Sequence, residues 1–278
     1  MVKLCVVIPV YNHPLAITAM LEGVLEHQID CFLVDDGSDI ACATVLDQLA
    51  DAHLPHVTLL RLPVNQGKGS AVLAGCVAAS AGGYTHALQI DADGQHRATD
   101  IPRFAAISAA YPDAVIAGCP IYDDSVPRLR LCARYLTHVW VWINTLSLAI
   151  TDSMCGLRVY PLAPLMALYR RRGIGRRGIG RRMDFDTDVL VRLYWDGLQI
   201  INVPTRVTYP SDGVSHFRTF YDNLLITRMH ARHFPGMLLR LPRLIARHFH
   251  VRQPHTVLPA EHQAKHQIGD ADHIGTSR

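Results

Sequence analysis

The sequence predicts an α/β fold whose mainly parallel sheet is flanked by helices. One observation is that "LCVVI" (4–8) is a short run rich in valine, as expected of a strand buried on both faces. Another is that strand and helix patterns alternate up to about residue 118. Strands spaced in this way are joined by right-handed crossovers, and ligands of such sheets bind at the carboxyl ends of the strands.

The alternation can be followed along the chain. Pro14 opens the first helix, whose apolar face carries Ile17 and Leu21. The patterns that follow are, in chain order, "CFLV" (31–34, strand), "CATVLDQLA" (42–50, helix), "VTLLRL" (57–62, strand), "KGSAVLAGCVAAS" (68–80, helix), "THALQI" (85–90, strand), "DIPRFAAISAAY" (100–111, helix) and "AVIAG" (114–118, strand).

We predict one domain over residues 1–222, in which a second half (119–222) packs on the sheet of the first half (1–118) and closes the crevice at its strand ends. Residues 223–250 are apolar and rich in arginine, which predicts a basic amphipathic helical extension. Residues 251–278, rich in His, Gln and Asp, are predicted to be disordered.

A tandem repeat, "RRGIGRRGIGRR" (171–182), contains glycines that cannot hold a stable helix, so we predict a mobile loop. Its arginines would suit an anionic acceptor or a diphosphate, and a solvated insertion is the alternative.

Composition excludes several protein classes. Hydrophobic residues make up 49% and charged residues 18% of the chain, and the net charge of +3 gives no indication of a nucleic-acid partner. Seven cysteines without a C-x-x-C pair argue against a disulfide framework or a zinc ribbon. The longest apolar stretch, 136–150, is shorter than the about 20 residues of a spanning helix. We therefore expect a cytoplasmic protein without a transmembrane segment.

Polar clusters follow three of the predicted strands. They are "PVYNH" (9–13), "DDGSD" (35–39) and "DADGQH" (91–96). Because carboxyl ends of parallel strands share one edge of the sheet, we expect these clusters to line one crevice.

The third cluster predicts a metal site. Asp91 and Asp93 are two residues apart, so an extended backbone places both carboxylates on one side. Mg²⁺ or Mn²⁺ is usually bound by one or two carboxylates while substrate phosphates supply other ligands, and Gln95 offers a further oxygen. The alternative is an Asp-Gly turn that caps the next helix.

The stretch "NQGKGSAV" (65–72) is typical of a turn that presents backbone N–H groups to an anion at a helix start. It is not a Walker loop, because Leu62 replaces the first glycine and Gly69 follows the lysine. Lys68 would suit a diphosphate, and Asp36 a ribose or base; a simple turn is the alternative for each.

Taken together, "VVIPVYNH", "FLVDDGSD", "NQGKGSAVLAG" and "LQIDADGQH" closely resemble glycosyltransferase family 2, inverting enzymes with the Rossmann-like GT-A fold. The form "DADGQH" is most similar to the dolichyl- or polyprenyl-phosphate mannose and glucose synthase branch. The stretches "RMDFDTDVLVRLYWDG" and "YPSDGVSHF" also resemble transferases of the aryl polyene or xanthomonadin pigment type.

The resemblance implies a role for particular residues. The residues implied to bind the nucleotide sugar are Pro9, Tyr11, Asn12, Asp36, Lys68 and Asp91, and those implied to bind the metal are Asp91, Asp93 and Gln95. Arg158 and Arg218 are assigned to the acceptor or its phosphate, and Asp152 is a further catalytic candidate on that side.

The resemblance also implies a general base. Asp186 matches the aspartate of the family's E-D pair, although Phe185 replaces the glutamate, and Asp188 matches a glutamate of the lipid-phosphate branch. The alternative is that these acidic residues favour the positive N-terminus of a helix.

From this we expect a metal-dependent inverting transfer of a sugar from a nucleotide diphosphate sugar to a lipid-like hydroxyl acceptor, such as a polyene pigment lipid, at the inner membrane surface. One alternative is a polyprenyl-phosphate sugar synthase, whose phosphate acceptor is already ionised and needs no base. Another, of a different class, is a non-catalytic protein that binds sugar nucleotides.

Overall fold

The computed structural model describes residues 1–122, 128–175, 178–208 and 219–250. Seven strands of these segments form one sheet, in the order β3-β2-β1-β4-β6-β5-β7. The strands are β1 (Leu4–Val10), β2 (Cys31–Asp35), β3 (Val57–Arg61), β4 (His86–Gln89), β5 (Val115–Tyr122), β6 (Arg158–Pro161) and β7 (Ile200–Val207).

Helices lie on both faces of this sheet. They are α1 (Pro14–Leu25), α2 (Ile40–Ala52), α3 (Lys68–Ala81), α4 (Ile101–Ala110, after a short 3₁₀ turn at Ala98–Asp100), α5 (Arg128–Thr145), α6 (Leu162–Arg172), α7 (Phe185–Trp195), α8 (Thr219–Leu238) and α9 (Leu241–His250). The predicted α/β class, the sheet and the C-terminal helical extension are confirmed.

The first half of the sheet is parallel, as predicted from the alternation. β1 pairs with β2 on one side and with β4 on the other, and β2 pairs with β3. From Cys5 to Val10 every residue of β1 is buried, because helices cover both faces of the strand.

The second half inserts one reversed strand. β6 runs antiparallel to both β4 and β5, whereas β5 and β7 are parallel. Since β6 lies beside β4, the residues just before it face those that follow β4. This topology brings Ser153 and Gly156 to the edge of the sheet that carries the predicted crevice.

Two apolar layers hold the sheet between the helices. One layer joins α3, α6 and α7 to one face and includes Val7, Phe185 and Leu190. The other joins α1, α2 and α4 to the opposite face and includes Leu21 and Phe104. Burying both faces fixes the strand ends as a rigid frame for a site.

The described part of the arginine-glycine repeat is held by the protein, whereas we expected a mobile loop. α6 ends at Arg172, and Gly173 follows with a φ of 60°. Ile179 is fully buried in the core, and the Gly180 N–H donates to Asp188 Oδ2 at 2.8 Å. The buried isoleucine and the backbone donor fix this segment, and Arg171 and Arg182 add contacts to Asp196 and Asn65.

The C-terminal helices α8 and α9 cover the stretch predicted to be helical, and the predicted disordered tail lies outside the described residues. In the described segments we find no helix with both the length and the apolar composition that crossing a bilayer requires.

The closeness of α3 to the sheet can be tested at Gly75. A Cβ at this position would lie 2.5 Å from Val7 Cγ1 and 3.0 Å from Val34 Cγ2. We expect Gly75→Ala to lower the free energy of unfolding by about 1–3 kcal/mol, measured by urea denaturation, because overpacking outweighs the higher helix propensity of alanine.

The matched control is Gly82→Ala at the end of the same helix. There the φ is −76°, and no atom lies closer than 3.4 Å to an added Cβ. This variant should stay within about 0.5 kcal/mol of the parent protein. Equal unfolding energies for the two variants would contradict the close approach of α3.

Candidate active site

The polar clusters that follow β1, β2 and β4 meet at one edge of the sheet, as predicted. The Asp36 N–H donates to the Val10 carbonyl at 2.8 Å, which continues the pairing of β1 and β2 beyond the strand ends. Pro9 is buried within β1, while Tyr11 and Asn12 are partly exposed just beyond it.

Asn12 ties the ends of β1 and β2 together. Its backbone has a φ of 53°, a left-handed conformation that asparagine tolerates better than most residues. Its N–H donates to Ser38 Oγ at 3.1 Å, and its Oδ1 accepts from the Asp39 N–H at 2.8 Å. In this arrangement Asn12 shapes the loop after β2.

Asp36 holds the loop that precedes α3. Its two carboxylate oxygens accept from the N–H groups of Gln66 (2.7 Å) and Gly67 (2.8 Å). Burial raises the pKa of Asp36 despite these two donors. Since both oxygens are engaged, this residue fixes the position of Lys68, which follows directly.

Lys68 joins the two halves of the chain. Its Nζ lies 2.7 Å from Asp91 Oδ2 and 2.7 Å from Asp186 Oδ2. Burial opposes the charge of the ammonium group, but Asp186 and Asp91 outweigh burial and raise the pKa of Lys68. The lysine is therefore a fixed cation at the base of the crevice.

Asp186 is held from several sides. Its Oδ1 accepts from Gln89 Nε2 at 3.0 Å, and the Tyr160 hydroxyl donates to the other end of the Gln89 amide at 3.2 Å. The guanidinium of Arg158 donates to the Asp186 carbonyl oxygen. Both carboxylate oxygens of Asp186 thus have donors, and the residue is only 4% exposed.

Asp91 and Asp93 form a carboxylate pair at the mouth of the crevice. Burial opposes ionisation of Asp91, but Lys68 outweighs it and lowers the pKa of Asp91. Burial and the charge of Asp91 raise the pKa of Asp93 to about 6. Asp93 Oδ1 accepts from the Gln95 N–H at 3.1 Å, so Gln95 lies beside the pair.

These residues fit a divalent cation. Asp91 Oδ1 is buried and has no hydrogen-bond donor, which is a costly arrangement unless a cation supplies the partner. Within the described residues no cluster of three or more His, Cys, Asp or Glu side chains is arranged to hold a metal ion. A pair of carboxylates suits Mg²⁺ or Mn²⁺ when a diphosphate supplies further ligands.

Asp188 points away from the crevice. Its Oδ1 accepts from Arg192 Nε at 2.7 Å and lies 2.5 Å from His233 Nε2, and its Oδ2 accepts from the Gly180 N–H. Burial opposes its charge, but the hydrogen bond from His233 and the Arg192 guanidinium lower the pKa of Asp188. Asp188 therefore links α7, α8 and the repeat segment.

Asp152 is likewise buried in an ion pair. Its carboxylate accepts from Arg134 Nε at 2.6 Å and Nη2 at 2.7 Å, and from the backbone N–H groups of Met154 and Cys155 at 2.8 Å each. Arg134 outweighs burial and lowers the pKa of Asp152. These contacts fix the turn that leads into β6.

Of the two arginines predicted to bind the acceptor, only Arg158 lies within the described residues. Arg158 is fully buried, and its Nη2 donates to the Ser153 carbonyl at 2.5 Å while its Nη1 donates to Asp186. It supports Asp186 from behind rather than facing a ligand. Arg218 lies outside the described residues.

Sequence reasoning missed Gly156, Gln89 and Tyr160. A Cβ at Gly156 would lie 1.9 Å from Asp91 Oδ2, so only glycine allows the carboxylate its position. Gln89 and Tyr160 lie on the paired strands β4 and β6 and orient Asp186. The signals were a polar glutamine within an apolar strand and the glycine of "CGLR".

The comparison with family models decides the identity. The model described as glycosyl transferase family 2 matches residues 5–177, which is more than half of the chain. The chain belongs to glycosyltransferase family 2. This confirms the resemblance found in the four motifs and makes the protein a glycosyltransferase.

Curated relatives agree with this membership. An uncharacterized protein of Methanocaldococcus jannaschii, MJ0544, is 31% identical over 220 residues, which cover 77% of this chain and 91% of that protein. A polyprenol monophosphomannose synthase of Mycolicibacterium smegmatis is 25% identical over 221 residues, covering 76% and 79%. The chain spans about half the length of other relatives, such as a Klebsiella pneumoniae undecaprenyl-phosphate 4-deoxy-4-formamido-L-arabinose transferase (48%).

Solved structures agree on the GT-A fold. Glucosyl-3-phosphoglycerate synthase from Mycobacterium tuberculosis, solved in complex with Mn²⁺ and uridine-diphosphate-glucose, superposes with a TM-score of 0.60 at 15% identity. The match covers 84% of this chain and 78% of that one.

The buried position of Asp188 leads to a prediction. Asp188→Asn should lower the free energy of unfolding by about 3 kcal/mol or more at neutral pH, because Arg192 and His233 lose their buried counter-charge. Since the pKa of Asp188 is lowered by folding, its stabilisation is complete above the ordinary aspartate pKa of about 4 and is lost as pH falls through the folded value. The difference between parent and variant should therefore shrink in acid, as followed by urea denaturation at several pH values.

Asp47→Asn provides the control, since Asp47 pairs with Arg61 at the surface with 53% of its side chain exposed. Such a pair contributes about 1 kcal/mol or less. If Asp188→Asn were as mild as this control, the buried network would not be supporting α7.

Proposed function

We propose that this glycosyltransferase moves a sugar from a nucleotide diphosphate sugar to a lipid-linked phosphate at a membrane surface. The observation that carries the proposal is the engagement of Asp186, whose carboxylate oxygens accept from Lys68 and Gln89. A general base must reach the proton that it removes, and both carboxylate oxygens of Asp186 already accept hydrogen bonds within the protein.

Other carboxylates of the described second half are also engaged. Asp188 and Asp152 are paired with arginines inside the protein. Asp184 is buried, and its Oδ1 accepts from the Arg182 N–H at 3.1 Å. An acceptor hydroxyl would therefore find a poorly suited base, whereas an ionised phosphate oxygen needs none.

The names of the relatives support the same acceptor. The mycobacterial relative is a polyprenol monophosphomannose synthase, and the Klebsiella relative is an undecaprenyl-phosphate transferase. The similarity of "DADGQH" to lipid-phosphate synthases points in this direction as well. The hydroxyl acceptor expected from the sequence becomes the second candidate.

For the donor, Asp91 and Asp93 would hold Mg²⁺ or Mn²⁺, with Gln95 beside them. When bound, the metal would stabilise the charge that develops on the leaving diphosphate. Lys68 adds a fixed positive charge at the same place.

Tyr11 and Asn12 would contact the nucleoside at the end of β1, next to the buried Pro9. Asp36 would act on it through the loop that its carboxylate holds, because both of its oxygens accept backbone N–H groups.

The C-terminal helices would bring the enzyme to the lipid. Leu238, Leu239 and Ile245 expose 50%, 84% and 47% of their surface, and arginines such as Arg240 and Arg243 lie among them in the chain. Apolar side chains interleaved with basic ones are typical of helices that lie on anionic bilayers. We therefore propose a peripheral membrane position on these helices.

One observation favours the second candidate, transfer to a lipid-like hydroxyl such as that of a pigment lipid. Asp186 and the proposed metal ligand Asp91 contact the same ammonium group, so Asp186 would lie close to the bound donor. A shift of Lys68 would free one oxygen of Asp186 for a hydroxyl proton.

The donor and metal can be tested by thermal shift. A nucleotide diphosphate sugar with Mn²⁺ should raise the melting temperature of the parent protein, because a ligand that binds only the folded state stabilises it by mass action. Asp93→Asn should abolish the part of this shift that depends on Mn²⁺. Asp51→Asn, at an exposed position at the end of α2, is the control and should retain it.

Stabilisation by the sugar nucleotides that is equal with and without Mn²⁺ would overturn metal dependence. The absence of stabilisation by any nucleotide diphosphate sugar, with or without metal, would overturn the proposed donor. Binding without turnover on any lipid acceptor would favour the non-catalytic alternative.

The acceptor can be tested with Asp186→Asn, assayed on polyprenyl phosphate and on lipid alcohols. With a phosphate acceptor we expect kcat to stay within about tenfold of the parent value. With a hydroxyl acceptor, loss of the base should lower kcat by about 10²–10⁴-fold.

The pH dependence of kcat distinguishes loss of a base from a general disturbance. A base-assisted reaction loses rate in acid, and that limb should disappear in Asp186→Asn. A collapse of activity on polyprenyl phosphate in a folded variant would contradict the phosphate proposal.

A further inference from the structure

The ammonium group of Lys68 occupies a position between carboxylates of both halves of the chain. It contacts Asp91 Oδ2 and Asp186 Oδ2 at 2.7 Å each, and its side chain is 15% exposed. These two contacts join residues separated by 23 and 118 positions in sequence. The lysine is thus the cation that compensates the acidic side of the crevice.

Asp91, one of the two carboxylates that contact Lys68, is also a proposed metal ligand. Asp91 uses Oδ2 for Lys68, while its Oδ1 is buried without a donor. A divalent cation at Oδ1 would share one carboxylate with the ammonium group. Two cations at one partly buried carboxylate repel each other, because water screens them less there than at the surface.

We propose that Lys68 is the built-in counter-cation of the metal site, which competes with the divalent metal for Asp91 and thereby sets the metal affinity of the enzyme. The proposal rests on the metal-dependent function proposed above, and it makes Lys68 a positioning residue of the site. In this proposal Lys68 already acts in the free enzyme, before the nucleotide sugar binds.

The site needs such a cation. Asp91 and Asp186 contact the same ammonium group, and Asp93 follows Asp91 by two residues. The backbone of Gly156 lies against the Asp91 carboxylate, since a Cβ there would overlap Asp91 Oδ2. Buried carboxylates without a counter-charge repel and lose solvation. Lys68 offsets this cost while the metal is absent.

The competition couples the metal to the donor. A diphosphate brings negative charge that attracts both the metal and Lys68. This charge reduces the repulsion between the two cations, so the metal binds more easily. We therefore expect wild-type protein to bind Mn²⁺ weakly alone and at least about tenfold more tightly with a nucleoside diphosphate.

The test is Mn²⁺ binding without nucleotide, measured by electron paramagnetic resonance of free Mn²⁺ at mildly alkaline pH, where carboxylates are ionised. Lys68→Met removes the charge and keeps most of the side-chain length. We expect Mn²⁺ to bind at least about tenfold more tightly than in the parent protein. Lys68→Gln should act in the same direction, and Lys68→Arg, which retains the charge, should restore affinity towards the parent value.

Lys3→Met is the matched control. Lys3 is exposed just before β1, at the end of the sheet opposite the crevice, and its ammonium lies over the Tyr84 ring. Its removal changes the net charge of the chain by the same amount as Lys68→Met, yet it should leave Mn²⁺ affinity unchanged.

A second readout follows thermal stability. Without metal, Lys68→Met should melt below the parent protein, because Asp91 and Asp186 lose their shared cation, and Mn²⁺ alone should recover most of the difference. Unchanged or weaker Mn²⁺ binding in folded Lys68→Met and Lys68→Gln would overturn the inference.

If neither variant folds, the parent protein still decides, since Mn²⁺ binding that is equally tight with and without nucleoside diphosphate also overturns it. The failure of the parent protein to bind Mn²⁺ even with nucleoside diphosphate would instead overturn the metal-dependent function itself.

Discussion

The bridge from Lys68 to Asp91 and Asp186 is the interaction on which the crevice depends. Asp91 follows the parallel half of the sheet, whereas Asp186 lies on a helix that begins almost a hundred residues later. Without a cation between them the two carboxylates would repel each other at the place where the halves meet. The loop held by Asp36 and the close approach of Gly156 both serve to place the partners of this bridge.

Most acidic residues at the start of α7 stabilise the protein rather than face the crevice. Asp188 binds α8 through His233 and the repeat segment through Gly180, and the Arg181 carbonyl in turn accepts from the Ser70 N–H in α3. The C-terminal helices are therefore connected, through one buried carboxylate, to the helix that carries Lys68. The helices proposed to bind the membrane and the loop that precedes α3 therefore share these contacts.

The first half of the fold could be predicted because its information is local. Buried apolar strands and amphipathic helices appear as periods in the sequence, and parallel topology brings Asn12, Asp36 and Asp91 to one edge. The roles of Asp152 and Asp188 could not be predicted in the same way. Their partners, Arg134 and His233, lie 18 and 45 residues away in sequence. Only the tertiary structure shows that these carboxylates are already hydrogen-bonded inside the protein. The fixed part of the repeat was missed because Ile179 is apolar but surrounded by arginine and glycine.

The chemistry of the acceptor follows from how a buried cation distributes its charge. Lys68 and Gln89 donate to the two carboxylate oxygens of Asp186, so a substrate hydroxyl would have to displace one of these donors to reach the carboxylate. An acceptor hydroxyl must lose its proton during transfer, so it would work against the ion pair. A phosphate brings its own negative charge and would use the positive charge at the base of the crevice instead. The contact that fixes Asp186 thus supports the proposed phosphate acceptor over the hydroxyl.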